Sequence, residues 1–381
     1  MTELLYFRTS VLPKINTSVL LKMSPYCNTF LSSSPDSLFN FATMKRTALL
    51  TGLALCLCVV ASAQDSIDYR PQINGTLRGK YEYQTQDNAG RFEVRTARFS
   101  VTGKVARQVD YKAEIDLCDE GQIKMLDAYA RITPVKNFRF TIGQMRVPFT
   151  IDAHRSPDKQ YFANRSFIAK QVGNIRDVGA MIGYDFNMGI PARIEAGLFN
   201  GSGLTGQKDY WTKGINFSAK AQFFVSKNLT WELSAQKIKP DSVGIMMYDA
   251  GLTWRCGAFL AEAEYLYKTY AHNAYKDVHS VDVFANYDIP VCNGKKLVKK
   301  VSPLVRYDFM TDHSDGNRNS NRQLYTTDYQ RHRVTAGATV SLASPFVTDI
   351  RLNYEKYFYR HDGIPKVSEK DKLVVEVMVH F

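Results

Sequence analysis

Six basic side chains crowd one stretch of this sequence. Between positions 146 and 176, Arg146, Arg155, Lys159, Arg165, Lys170 and Arg176 face only Asp152 and Asp158, a net charge of +4. Fixed positive charge of that density attracts small anions, and it does so most strongly where the surroundings exclude bulk water. The stretch reads either as a constriction that folds into a channel or as a solvated external loop whose charges meet lipopolysaccharide. A second cluster, Lys295, Lys296, Lys299 and Lys300, reads as a solvated turn rather than an anion trap.

Catalytic chemistry finds little support. Gly201-Ser202-Gly203-Leu204-Thr205-Gly206 has the glycine spacing of a dinucleotide fingerprint, but no amphipathic helix follows it at Lys208-Asp209-Tyr210-Trp211, so no helix N-terminus can receive a phosphate. No P-loop, H-E-x-x-H or G-x-S-x-G is present, and the seven histidines are dispersed without ligand spacing. Glu262 and Glu264 lie two apart on one strand face and imitate a paired-carboxylate site. Carboxylates facing arginines in a polar lumen explain them more simply. No catalytic residue, metal or cofactor is expected.

The elements that must position the basic stretch are strands. From Arg70 onward apolar and polar residues alternate with a period of two, most clearly at the end, where Leu373, Val375, Val377, Val379 and Phe381 share one face against Lys372, Glu376 and His380. Sixteen strands are predicted: 70–83, 92–106, 109–118, 123–132, 137–146, 177–186, 191–199, 213–225, 228–237, 246–255, 257–268, 279–289, 301–310, 331–342, 346–358 and 371–381. The connections alternate between tight turns and long loops (147–176, 200–212, 311–330, 359–370), with 290–300 a longer exception. That asymmetry belongs to an up-and-down antiparallel barrel in an outer membrane, and a Greek-key sandwich has no reason to follow it. Tyr184, Phe186, Trp231, Trp254, Tyr265, Tyr267 and Tyr354 then face lipid as an aromatic girdle. The opposite parity puts Arg98, Lys104, Lys112, Arg131, Arg139, Arg193, Lys220, Arg255, Lys268, Arg306, Arg333, Arg351 and Lys372 in the lumen, against fourteen carboxylates. Such a wall is wet and nearly neutral, so the cationic excess lies in the long loop. Phe381, a terminal aromatic, closes the apolar face of the final strand.

Composition agrees. The 381 residues are 45% hydrophobic and 12% aromatic, with mean hydropathy −0.28 and net charge +12, which excludes disorder and collagen and points to anionic partners. The longest apolar run, 48–60, is too short for a spanning helix. Met44-Lys45-Arg46, the apolar run behind it and Ala61-Ser62-Ala63 form a secretory signal over 44–63. The barrel is then 64–381, and 1–43 reads as a gene-start artefact, with a genuine extension as the alternative. Cys118, Cys256 and Cys292 are left without disulfide or zinc spacing.

Five motifs resemble the phosphate-selective porin O and P family, in that family's order: Arg95-Thr96-Ala97-Arg98 with Gly103, Asp127-Ala128-Tyr129, Gly143-Gln144-Met145-Arg146-Val147-Pro148-Phe149, Arg176-Asp177-Val178-Gly179, and Gly197-Leu198-Phe199-Asn200-Gly201. The resemblance implies a homotrimer of sixteen-stranded barrels in the outer membrane of a Gram-negative bacterium, passing anions such as phosphate or polyphosphate, with Arg98, Arg146 and Arg176 at motif positions. It also implies contact with outer-membrane lipid, lipopolysaccharide and the assembly machinery, with Phe381 in the assembly signal that this machinery reads, and no nucleic acid. The acid-rich wall leaves a general diffusion porin and a barrel working mainly in surface interaction as alternatives, and a secreted carbohydrate-binding sandwich as a remoter one.

Overall fold

The structure is a computed structural model that describes 67–381 apart from positions 120, 173–174, 205, 241–242, 292–296, 344–346 and 361–365. The proposed extension (1–43), the leader (44–63), Lys295 and Lys296 lie outside the described residues.

Sixteen antiparallel strands run in chain order around one closed sheet: β1 Gln72–Gln84, β2 Ala89–Ala106, β3 Val109–Asp119, β4 Gln122–Ile132, β5 Phe138–Arg146, β6 Arg176–Met188, β7 Ile190–Phe199, β8 Asn216–Phe224, β9 Leu229–Ile238, β10 Ile245–Cys256, β11 Phe259–Tyr270, β12 Val278–Tyr287 with its continuation Ile289–Pro290, β13 Val298–Met310, β14 Arg331–Leu342, β15 Val347–Tyr359 and β16 Lys372–His380. β1 pairs with both β2 and β16, the latter from Thr76↔His380 to Gln84↔Lys372. Closure leaves no unpaired edge, which a sheet in lipid requires. The predicted strands are the observed ones with ends displaced by a few residues; β2, for example, begins at Ala89 and β8 at Asn216.

Parity is as expected. Trp231, Trp254, Tyr265 and Tyr354 are exposed on the outer face, and Glu262, Lys268, Arg333 and Arg351 are buried on the inner one. Short turns lie at one end of the barrel. At the other, the first two links (85–88 and the one between β3 and β4) are short, and the long loops follow.

β5 has nine residues where β2 has eighteen, so the chain leaves the wall early and the connection 147–175 enters the lumen. Its short helix α1, Phe167–Gln171, is capped by Ser166, whose hydroxyl accepts the Ala169 N–H. Phe167, Ile168 and Val172 pack on the inward Ile245, Met247, Leu266, Tyr270, Val278 and Met310. The uniformly wet inner wall read from the sequence is therefore corrected. Part of that wall is apolar because it receives the loop, and burying such side chains stabilises docking by about 2 kcal/mol each.

Candidate functional site: the inward loop and its two chambers

The inward loop is stitched to itself and then to the wall. Asp152 accepts the Ser166 N–H at 2.9 Å and its hydroxyl at 3.0 Å, and Arg165 donates to the carbonyls of Asp152 and Arg155. The outgoing half reaches β9 and β11: Thr150 N–H donates to Ser234 Oγ at 3.1 Å, and Ile151 N–H donates to Glu264. Gly251 is the notch for Ile151, since a Cβ there would lie 2.3 Å from Ile151 Cδ1. The tip reaches β1, where Arg78 donates to Gln160 Oε1 at 2.6 Å and the Ala163 carbonyl at 2.7 Å. The returning half reaches β13 and β14, with Phe167 N–H on Asp308 and Arg306 and Arg333 on the carbonyls of Asn164 and Arg165.

The six basic residues of the stretch meet different fates. Arg155 is ion-paired to Glu262 at 2.7 Å and to Asp152 at 3.4 Å. Arg176 holds Asp127 at 2.7 Å and Glu114 at 3.0 Å, and Lys170 lies 3.5 Å from Glu369 of the last external loop. Arg165 is turned onto backbone carbonyls, and Arg146 donates to the His154 carbonyl at 2.6 Å. Lys159 is exposed at the tip of the loop and lines both of the chambers beside it.

Two chambers adjoin that tip. The first, of about 540 Å³, is lined by Arg98, Lys112, Arg146, Arg155 and Lys159 against Glu114 and Asp158, together with His154 and His380. The second, of about 470 Å³, is lined by Arg155, Lys159, Lys220 and Lys300 against Asp158, Glu232, Asp288 and Asp349. One lining carries a net +3 and the other none. Lys159 belongs to both.

The wall residues divide in the same way. Arg98 pairs with Asp116 at 2.8 Å while facing the positive chamber. Arg139 and Arg193 share Asp185 at 2.6 and 2.8 Å, Arg131 stacks on Tyr129, and Lys104 is exposed near the short-turn end of β2. Arg306, Arg333 and Arg351 point inward as parity requires, but at most 2% of each is exposed. Their reading as lining of open lumen is corrected: the loop covers Arg306 and Arg333, and the three pair with Asp308, Glu355 and Glu376. The sequence reading also missed the inward row Arg78, Lys80 and Glu82 on β1. Its signal, charged residues at every second position after Thr76, was blurred by Gly75, Gly79, Tyr81 and Tyr83 on the outer face.

The glycine-rich stretch has a structural use. The Asp177 carboxylate accepts the N–H groups of Gly201 at 2.6 Å and Gly203 at 3.2 Å, which fixes the start of the loop after β7. Gly143 has φ +128°, and a Cβ there would lie 2.3 Å from the Ala128 carbonyl oxygen, so only glycine fits. Together with the Arg176–Asp127 pair, these contacts join four of the five motifs into one packed block on β4–β7.

A closed sixteen-stranded antiparallel barrel with a long loop folded into its lumen defines an outer-membrane porin barrel, of the Gram-negative outer membrane. Residues 72–244 match the family described as phosphate-selective porin O and P. Among solved structures, the chain is similar to the anion-selective porin from Comamonas acidovorans (11% identity, TM-score 0.57, covering 82% of this chain and 98% of that one). It is also similar to OmpF of Salmonella typhi in complex with daunomycin (11%, 0.56, 82% and 97%) and to OmpT of Vibrio cholerae in its trimer form (11%, 0.54, 82% and 98%). No curated protein sequence matches it.

The Arg155–Glu262 pair gives a direct test of loop docking. Arg155→Gln strands a buried carboxylate, which costs about 3 kcal/mol, so the temperature at which the SDS-resistant barrel unfolds should fall. Adding Glu262→Gln should restore most of the loss. A double variant no better than the single one would show that the pair does not hold the loop.

Proposed function

We propose that this barrel is a passive, water-filled channel that lets small anions, phosphate among them, diffuse across the outer membrane, and that it works as a homotrimer delivered by the leader at 44–63. The reading is of a channel rather than an enzyme. The observation that carries it is the lining of the first chamber, five basic against two acidic side chains, in which Arg146 and Lys159 have no carboxylate of the described residues within 4 Å. Most other luminal cations are spent on ion pairs, so Arg146 and Lys159 supply the field a passing anion meets. The balanced second chamber favours a second reading, a general diffusion porin in which the two routes differ in selectivity.

The test is the reversal potential of the purified protein in a planar bilayer under a potassium chloride gradient near 0.1 M, where screening extends only about 10 Å. Wild type should prefer anions and be blocked by added phosphate. Lys159→Glu reverses one charge at a few ångströms from the path and should lower the anion-to-cation permeability ratio roughly fivefold, whereas Lys104→Gln should change it little. Equal ratios in wild type and Lys159→Glu would remove the tip lysine from selectivity, and a cation-selective wild type would overturn the anion reading.

A further inference from the structure

Where the outgoing half of the inward loop touches the wall, two buried carboxylates meet without a cation. Asp249 of β10 and Glu264 of β11 are diagonal neighbours on the inward face of paired strands, opposite Leu266 and Gly251 in the ladder, and among the described residues neither has a lysine or arginine nitrogen within 4 Å. Each keeps one oxygen, Asp249 Oδ2 and Glu264 Oε2, that is buried and accepts nothing. Two further oxygens of the same patch are buried and unpartnered: Thr150 Oγ1 from the loop and Gln236 Oε1 from β9. Ser234 links the set, accepting from Thr150 N–H and lying 3.4 Å from Asp249 Oδ1, and Gln236 follows it by two residues on the same inward face. Thr150 is itself strained, with φ +58°, a conformation that a β-branched residue adopts only where its surroundings enforce it.

We propose that Asp249 and Glu264, completed by the neutral oxygens of Thr150, Gln236 and Ser234, bind one divalent cation of the calcium class. A buried, unpaired carboxylate is costly, and two in contact are more so. All five ligating groups are oxygens, the donor type a hard cation takes. The charge also closes. Nearby Lys220 is matched by Glu232 at 2.5 Å, Glu262 by Arg155, and Asp282, opposite Glu264 in the ladder, by Arg306 at 3.8 Å, which leaves −2 for the ion to neutralise. The described residues hold no cage of three or more acidic, histidine or cysteine side chains; two carboxylates and neutral oxygens make a different kind of site. Its consequence is mechanical, because Glu264 and Ser234 are the groups that hold Ile151 and Thr150, so the ion would clamp the inward loop to the wall.

The test uses the full barrel in detergent free of lipopolysaccharide, which binds divalent cations itself. Calcium at about 1 mM should raise the unfolding temperature of the SDS-resistant form by about 5 °C or more over the EDTA-treated protein, magnesium should do less, and equilibrium dialysis with radioactive calcium should count one ion per barrel. Glu264→Gln, which keeps an acceptor for Ile151 N–H, should weaken calcium binding about tenfold or more and lose the thermal response while remaining folded. No bound calcium in the wild type would overturn the proposal. So would equal melting in calcium and EDTA with a fall between pH 6 and pH 9, since a shared proton would then hold the carboxylates together. A Glu264→Gln/Asp249→Asn variant that keeps the calcium response would place the ion elsewhere.

Discussion

A chain ending at His380 should reach the outer membrane as folded barrel at about one-thirtieth of the wild-type level. Phe381 closes the seam between the first and last strands. Its N–H donates to the Gly75 carbonyl at 3.0 Å, and the Gly75 N–H donates back to its carbonyl at 2.8 Å. The ring lies over Gly75, where a Cβ would come within 2.2 Å of it, and meets the edge of Phe99 at 6.2 Å. Two hydrogen bonds at about 1 kcal/mol each account for about thirtyfold in the closure equilibrium, before any loss of recognition by the assembly machinery. Gly75→Leu keeps Phe381 but displaces its ring and should reproduce part of the defect. Heat-modifiable barrel in isolated outer membranes, compared by immunoblot, checks both. Normal levels of the truncated chain would show that the seam closes without its last residue.

Asp152→Ala should release the inward loop. The carboxylate binds Ser166 through both N–H and hydroxyl and faces Arg155, so its removal leaves buried donors and part of a guanidinium charge uncompensated, at a cost of about 3 to 5 kcal/mol. That shifts the docked-to-released ratio by a factor of about a hundred or more. Single-channel conductance should rise severalfold with larger current noise, and anion preference should fall as Lys159 leaves its fixed position. Unchanged conductance would mean that the other anchors hold the loop alone. The same group sets an acid limit. Burial by itself would raise the Asp152 carboxyl, but Arg165, Arg155 and Arg306 outweigh it and hold the group at about 2. A carboxyl depressed on folding stabilises above its unfolded value and stops doing so as pH falls through its folded one. Wild-type conductance should therefore stay level from neutral pH down to about 4 and rise toward the Asp152→Ala value between about 4 and 2.

Features that depend on near neighbours are legible in the residues alone. Alternation over ten or so residues, as in Leu373 to Phe381, sets which face meets lipid, and turn and loop lengths set which end carries the long connections. The count of sixteen strands, the outward Trp231 and Tyr265, the inward Glu262 and Arg333, and the length of the basic loop all follow from that local grammar. Which charges stay free depends on contacts made across the closed barrel. Arg155 finds Glu262 at a separation of 107 residues and Arg78 finds Glu376 at 298, distances over which no periodicity carries information. Of the six basic residues in the stretch, Arg155, Lys170 and Arg176 find carboxylates elsewhere in the barrel, Arg146 and Arg165 turn onto backbone carbonyls, and Lys159 stands exposed where the loop lands. The same holds for Asp249 and Glu264. Their parity is legible, but their meeting under Thr150 depends on the barrel closing with a particular register and on a nine-residue β5 that sends the loop inward at that height.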